Sequence, residues 1–505
     1  MVANVLPRSV RTSRSLFHRL PWDERAIASA SDVHPFPGAE DMPFNRAASN
    51  VAFDSGVADP EPADHGVGEQ KLANDADPVV DSFHVRPIRI VVLLEQDNST
   101  GGGFQQATNA ALLFKRLPPE LCSVTFVTTR ESAIEELQRS GLDARYLPVK
   151  KWQRILARFQ VMWRQISPSR LPMRSLELNW LDRSLEDMGA DLVYFTCPSY
   201  LALVTVRFSY LFTVWDLSHR DEPDFPEVRA NGEFERREQI YQHALKKATG
   251  IVVDSAGGRD NVIRRYGIDE DRVHVIPFSP AVGTMLSEEE LSQPERYVDI
   301  KAKYSLSCDY VYYPAQFWPH KNHVYLLRGL RSLEDRFGIK VGAIFSGRDF
   351  GNMAHVRAVA SDLGLSDRIR FAGFVPDVEL PCLYRQSIAL AMPTYFGPTN
   401  LPPYEAFQLG VPVLYSDLVN LRDQVGDAGL LVDLLKPETM ANALHKLIID
   451  PELKKVLVER GKRRIESLSD ELRLSTLKGA LEAFQARRMC WESSAPHSRN
   501  RDSST

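Results

Sequence analysis

Residues 315–323, AQFWPHKNH, set Lys321 and two histidines, His320 and His323, between an apolar run of strand length, Tyr310–Pro314, and a helical pattern that ends near Phe337. A helix N-terminus offers free N–H groups and the positive end of a dipole, and a lysine beside it adds a full charge; the combination suits a phosphate. A solvated surface lysine would read the same in isolation. Two histidines without a third ligand make a poor metal site, so no metal is expected.

A second stretch repeats the arrangement. PTYFGPTNLPPYEAFQLGVPV, residues 393–413, leaves the apolar run Ile388–Met392, spreads a small Gly-Pro-Thr-Asn loop over 397–400 and opens a helix at Leu401. Pro402 and Pro403 suit a helix start, where a missing N–H costs little. Gly410 suits its end. Glu405 is expected in the first turn. A carboxylate there repels phosphate, yet it accepts two hydrogen bonds from a vicinal diol, as acidic residues do with ribose. The plainer alternative is a helix-dipole partner worth under about 1 kcal/mol.

Two further stretches end apolar runs with polar groups. STGGGFQQATNAALLF, residues 99–114, carries Gly101, Gly102 and Gly103, which permit close backbone approach to a ligand, though a plain strand-to-helix turn explains them nearly as well. TVWDLSHRDEPDFP, residues 213–226, delivers Asp216, His219 and Arg220 to a strand end as candidates for acceptor binding or proton handling.

The elements that must position these groups are legible as a rhythm. Apolar runs at Ile88–Leu94, Val124–Val127, Leu192–Phe195, Leu211–Trp215, Ile251–Val253 and Val273–Ile276 alternate with helical patterns such as Ala107–Leu117 and Phe234–Ala248. The rhythm restarts at Tyr310–Pro314 and continues through Val341–Phe345, Ile369–Ala372, Ile388–Met392, Val411–Tyr415 and Leu430–Val432. Strand, helix, strand in succession implies doubly wound α/β sheets, and the restart implies two of them. In such sheets ligands sit beyond the carboxyl ends of the strands, where all four stretches fall. The expected division is a disordered extension over 1–86, a first α/β domain over 87–285, a second α/β domain with the final helices over 286–490, and a disordered tail over 491–505.

Bulk properties agree with a soluble globular chain. Of 505 residues, 44% are apolar and 25% charged, and the net charge of −5 gives no global attraction to nucleic acid. Five scattered cysteines without metal spacing suit free thiols in a reducing compartment. No run reaches membrane-span length, and no secretory signal is evident.

FWPHKNH, GPTNLPPYEAFQLGVPV and IVVDSAGGRDNVIRRYGIDEDRVHVIPF together resemble the retaining glycosyltransferases of family 4, the group 1 glycosyl transferases, over roughly residues 88–485. The resemblance implies the GT-B fold, two facing Rossmann-like domains. It implies a nucleotide-sugar donor, a glycan or lipid-linked acceptor, no cofactor and no metal. Lys321 would bind the diphosphate, Glu405 the ribose, and Asp216 would lie near the sugar; these three are the catalytic candidates. Gln316, Asn322, Arg348, Gly397, Thr399, Asn400 and Leu401 complete the donor side. Gly101, Gly102, Gly103, Asp216, His219 and Arg220 form the acceptor side. The sequence departs from the family where Gly397 replaces the first glutamate of an E-x7-E pattern, Gln316 an arginine and Trp215 a histidine. Arg348 is the cation available to compensate for Gln316. These departures leave the identity of the donor sugar most open. The alternatives to an active transferase are an inactive nucleotide-binding subunit, with Gly397, Gln316 and Trp215 as marks of lost catalysis, and a sugar-nucleotide epimerase or phosphorylase of the same architecture.

Residues 150–174, KKWQRILARFQVMWRQISPSRLPMR, hold seven basic residues and no acid. Trp152, Ile155, Leu156, Phe159, Met162, Trp163 and Ile166 share a helical face. Such a helix either lies on an anionic membrane or packs that face on its own sheet. The first option places the protein in the cytoplasm, peripheral on the inner face of the plasma membrane.

Overall fold

A computed structural model describes residues 86–97, 101–166, 179–280, 284, 286–291, 293–376, 378–397 and 399–491. The expectations for 1–85, for 492–505 and for the second part of the 150–174 segment lie outside them. Arg86, assigned to the extension from sequence, is placed and pairs with Asp191 at 2.7 Å.

Two parallel sheets carry the fold. The first contains β1 (Ile88–Leu94), β2 (Cys122–Thr128), β3 (Ala144–Tyr146), β4 (Leu192–Phe195), β5 (Ser209–Thr213), β6 (Gly250–Val253) and β7 (Val273–Val275), in the order β3-β2-β1-β4-β5-β6-β7. The second contains β8 (Tyr310–Pro314), β9 (Gly342–Ser346), β10 (Ile369–Gly373), β11 (Leu390–Met392), β12 (Val413–Ser416) and β13 (Gly429–Val432), in the order β10-β9-β8-β11-β12-β13. Both are doubly wound, so the expected pair of Rossmann-like lobes is present.

The strands are apolar throughout because both faces are covered. In β1, Val91 and Leu93 enter one core of the first lobe while Ile90 and Val92 enter the other, on the period of two that a strand imposes. The second lobe is built around Tyr310, Tyr312, Tyr313, Phe345 and Tyr415, all fully buried. The helix His323–Phe337 buries Leu326, Leu327, Leu330 and Leu333 against them.

The final helix, Asp470–Arg488, does not stay with the second lobe as the sequence division has it. Leu477, Leu481 and Phe484 are buried in the first lobe's core, beside the helix Gly102–Lys115. Removing a ring such as Phe484 from such a place costs about 3–5 kcal/mol. The crossing ties the final helix to the first lobe, and within it Arg473 reaches the Phe278 carbonyl.

Each sheet reverses its strand order at one place, between β1 and β4 and between β8 and β11. Ligands of open α/β sheets lie at such switch points. The loops leaving β1, β8 and β11 are the glycine stretch, the Pro-His-Lys stretch and the Gly-Pro-Thr-Asn stretch.

Candidate active site

Gly101 is not part of a loose loop. It is the N-cap of the helix Gly102–Lys115 at φ +60°, and Gly102 and Gly103 are that helix's first residues. Sequence periodicity places the start at Ala107, because three glycines conceal it. The glycines permit close approach from two sides. A Cβ on Gly101 would stand 3.0 Å from Gln316 Nε2, and one on Gly103 would stand 2.9 Å from the Trp215 ring. Gly102 faces Leu401. The first lobe's glycine turn thus sits directly over the second lobe's two ligand loops.

Lys321 and the Gly-Pro-Thr-Asn loop converge. Lys321 Nζ donates to Asn400 Oδ1 at 2.8 Å. Asn400 is the N-cap of the helix Leu401–Gln408, and its side-chain amide donates to the Gly397 carbonyl at 3.0 Å and to Tyr415 Oη at 2.6 Å. The Asn400 N–H donates to Gln424 Oε1 at 3.1 Å. Every polar atom of Asn400 is therefore tied, and the carbonyl it offers Lys321 is fixed. The Tyr395 N–H donates to the His320 carbonyl at 2.9 Å, which joins the two loops along their backbones.

This network explains Gly397. The residue sits at φ +114°, and a Cβ there would be 2.7 Å from Asn400 Oδ1. No side chain fits without displacing the asparagine that positions Lys321, so a glutamate at 397 and this Asn400 geometry are mutually exclusive.

Glu405 is not in the first turn, as the sequence reading has it; it lies one residue further along. It is 6% exposed and accepts from Tyr384 Oη at 2.5 Å. The carboxylate lies one helical turn below Asn400. Arg348 is exposed at the end of β9, where its carbonyl accepts from the Phe317 N–H at 2.9 Å beside Gln316. Asn322 adopts the left-handed conformation and caps the helix His323–Phe337.

Asp216 is held as an anion. Burial alone would raise it, but Arg237 at 2.6 Å and two bonds from Ser218 bring it down to about 2. Burial lowers Lys321 to about 8, against the pull of Asp216 and Glu227, which places all three charges in one neighbourhood.

His219 and Arg220 do not serve the cleft. His219 is fully buried with Nε2 2.8 Å from Glu238, and Arg220 Nε donates to the same carboxylate at 2.6 Å. Glu238, on the helix Glu233–Lys247, takes both of them inward and so removes them from the acceptor side. The other two histidines also face different neighbours. His320 Nδ1 lies 2.6 Å from Glu227, while His323 stacks on Phe317 at 4.5 Å. Among the described residues no three metal-ligating side chains gather.

Three residues of the first lobe went unnoticed in the sequence. Glu227 accepts from the His320 N–H at 2.9 Å, and Phe225 contacts Tyr395 and Phe396, so the segment 225–227 clasps the second lobe's loops. Asp254 ends β6 and hydrogen-bonds to Thr399 from across the cleft. The available signal for Asp254 was its position: a carboxylate directly after an apolar run, as Asp216 is after the run Leu211–Trp215.

The helix Lys151–Ile166 packs on the first lobe by a face other than the large apolar one the sequence marks. Ala157 and Val161 enter the first lobe's core. Trp152, Ile155, Leu156, Phe159 and Met162 face away from it, with Trp152 57% and Phe159 59% exposed.

Comparison with known proteins agrees with this architecture. Residues 305–464 match the family model for glycosyl transferases group 1, and residues 106–279 match that for the glycosyl transferase 4-like domain. The O-antigen chain mannosyltransferase B of Escherichia coli is 26% identical over 49% of this chain and 64% of its own length. A D-inositol 3-phosphate glycosyltransferase of Salinispora arenicola is 28% identical over 53% of this chain and 59% of its own. The matched region thus spans less than two thirds of either relative. The Anabaena protein HepE, solved with UDP and glucose, superposes with a TM-score of 0.60 at 14% identity over 78% of this chain and all of its own. That likeness bears on the fold alone.

Proposed function

Given that the chain belongs to the glycosyl transferases of group 1, we propose that it moves a hexose from a nucleotide-sugar to a glycan or lipid-linked acceptor, with retention of configuration and without a divalent metal. The observation that carries this reading is the Lys321–Asn400 contact at 2.8 Å, which sets a cation at the N-terminus of the helix Leu401–Gln408. Cleaving a sugar–phosphate bond leaves negative charge on a nucleoside diphosphate. Fixed donors aimed at that charge are usually the largest single contribution to such catalysis. Lys321, the amides of Thr399 and Leu401 and the first turn of the helix His323–Phe337 supply them. The donor is GDP-mannose or a UDP-sugar; that one relative is a mannosyltransferase supports the first.

Asp216 is ionised and tied to Arg237, so it has no proton to give. It orients the reacting sugar, and the departing diphosphate takes the acceptor's proton during attack on the same face. An acceptor embedded in a membrane accounts for the helix Lys151–Ile166. Its exposed apolar face is flanked by exposed Lys150, Lys151, Arg154 and Arg158, a charge pattern complementary to anionic lipid at the cytoplasmic leaflet. The test is incubation with GDP-mannose, UDP-glucose and other nucleotide-sugars, with NMR of the product. An α-linked product from an α-linked donor is expected. An inverted anomer, an epimerised donor, or nucleotide binding without any transfer would each overturn the proposal.

A further inference from the structure

A cavity of about 750 Å3 opens between the lobes, next to the Gly-Pro-Thr-Asn loop. Asp254, Gly257 and Gly258 line it from the first lobe, and Gly397, Thr399 and Gln424 from the second. Asp254 is 3% exposed. Its Oδ1 accepts from Ser255 Oγ at 3.1 Å, and the Thr399 hydroxyl also hydrogen-bonds to the carboxyl group. Its Oδ2 is buried and has no hydrogen-bond partner. No ion pair reaches it among the described residues.

Burying a carboxylate with an unpaired oxygen is unfavourable, and native structures contain few such atoms. The surroundings are nevertheless shaped to keep it. A Cβ on Gly258 would stand 2.9 Å from Asp254 Oδ1, so only glycine lets the helix Ala256–Tyr266 begin this close. The facing loop brings no acid of its own, because position 397 admits no side chain. Asp221, Glu222 and Asp260 line the same cavity from the first lobe, but among these four Asp254 is the one with a buried, unpartnered oxygen. Asp216 lies near enough to act on it electrostatically, and Asp216 acts likewise on Lys321.

We infer that Asp254 binds hydroxyl groups of the transferred hexose, with Oδ2 as the acceptor atom. The inference rests on the nucleotide-sugar reading given above. With the diphosphate on Lys321 and the loop amides, the attached sugar is carried past Thr399 toward Asp254. Sugar hydroxyls are donors, and an ionised carboxylate accepts them through strong, charge-assisted bonds. Burial raises Asp254 to about 6, against its two hydroxyl partners, and a bound diol would supply the missing donors.

The experiment compares full-length wild type and Asp254→Asn by calorimetric titration with UDP, GDP, UDP-glucose and GDP-mannose. For whichever base the wild type binds, the diphosphate should keep its Kd within about twofold. The corresponding nucleotide-sugar should bind roughly tenfold or more weakly, the size expected for one charge-assisted hydrogen bond. Unchanged nucleotide-sugar affinity would overturn the inference while leaving the proposed function intact. Equal loss for diphosphate and nucleotide-sugar would also overturn it, since that is a structural defect. Wild type that binds none of the four would overturn both readings. Deoxy-sugar nucleotides give a second readout that holds even if the variant folds poorly. Wild type should lose roughly tenfold for removal of one particular hydroxyl, and no such hydroxyl would mean no carboxylate grip.

Discussion

If Lys321 holds a diphosphate, binding must weaken as the lysine loses its proton, and the relevant window is unusually low. Burial brings the group from its ordinary value near 10.5 to about 8. About nine-tenths of the free protein then carries the charge at pH 7, and about one-tenth at pH 9. An anion that requires the charged form sees its apparent Kd rise by the inverse of that fraction, about tenfold or about 1.4 kcal/mol across the window. The described charged neighbours of Lys321 do not titrate there: Asp216 sits near 2, His320 near 4, and Glu227 below the usual carboxylate range. A terminal phosphate passes the midpoint of its second ionisation near pH 6 and is about nine-tenths ionised by pH 7. Calorimetric titration with UDP or GDP from pH 7 to pH 9 reads the effect directly. At pH 8.5 binding should also take up roughly 0.8 proton, seen as a dependence of the heat on the buffer. Lys321→Arg keeps its charge throughout and should bind with a flat pH profile. A flat profile in wild type, or a slope that survives in Lys321→Arg, would refute the assignment.

Lys321→Ala should lower transfer by roughly 10²-fold or more, the usual loss for one fixed donor to a developing anion; unchanged turnover of a folded variant would contradict it. Gly397→Ala forces a Cβ to within 2.7 Å of Asn400 Oδ1 at φ +114° and should cost about 1–3 kcal/mol in urea denaturation, together with weaker diphosphate binding. Asp254 is raised from its unfolded value near 3.8 to about 6, so its contribution to stability is fully present below pH 3.8 and is lost as pH rises through 6. Asp254→Asn should therefore be more stable than wild type at pH 8, by up to about 3 kcal/mol, with the gap closing toward pH 4; a less stable variant at pH 8 would contradict this. Vesicles containing phosphatidylglycerol should co-sediment the protein while phosphatidylcholine vesicles do not, and Trp152→Ser with Phe159→Ser should abolish it; binding indifferent to lipid charge would exclude the helix as the anchor.

The strands were legible because burial on both faces leaves no room for polar residues, and runs such as Ile88–Leu94 and Tyr310–Pro314 fall where the sequence puts them. β3 was not, since it is a three-residue edge strand with one buried side chain. Lys321, Asn400 and Gly101 could be read from strand ends, and they do converge. His219 and Arg220 occupy an equivalent position, yet Glu238 turns them inward, and a partner 18 or 19 residues away on another helix has no local signal. The final helix shows its apolar residues plainly, but periodicity does not say which sheet receives them. For the same reason the face of Trp152 and Phe159 was ambiguous until Ala157 and Val161 were seen to fill the core side.

The cleft itself is tested most directly by a crystal structure of the protein with UDP or GDP bound. The phosphates should lie within hydrogen-bond distance of Lys321 Nζ and of the Thr399 and Leu401 amides, with the ribose toward Glu405. A nucleotide seated elsewhere, with Lys321 still on Asn400 alone, would contradict the account.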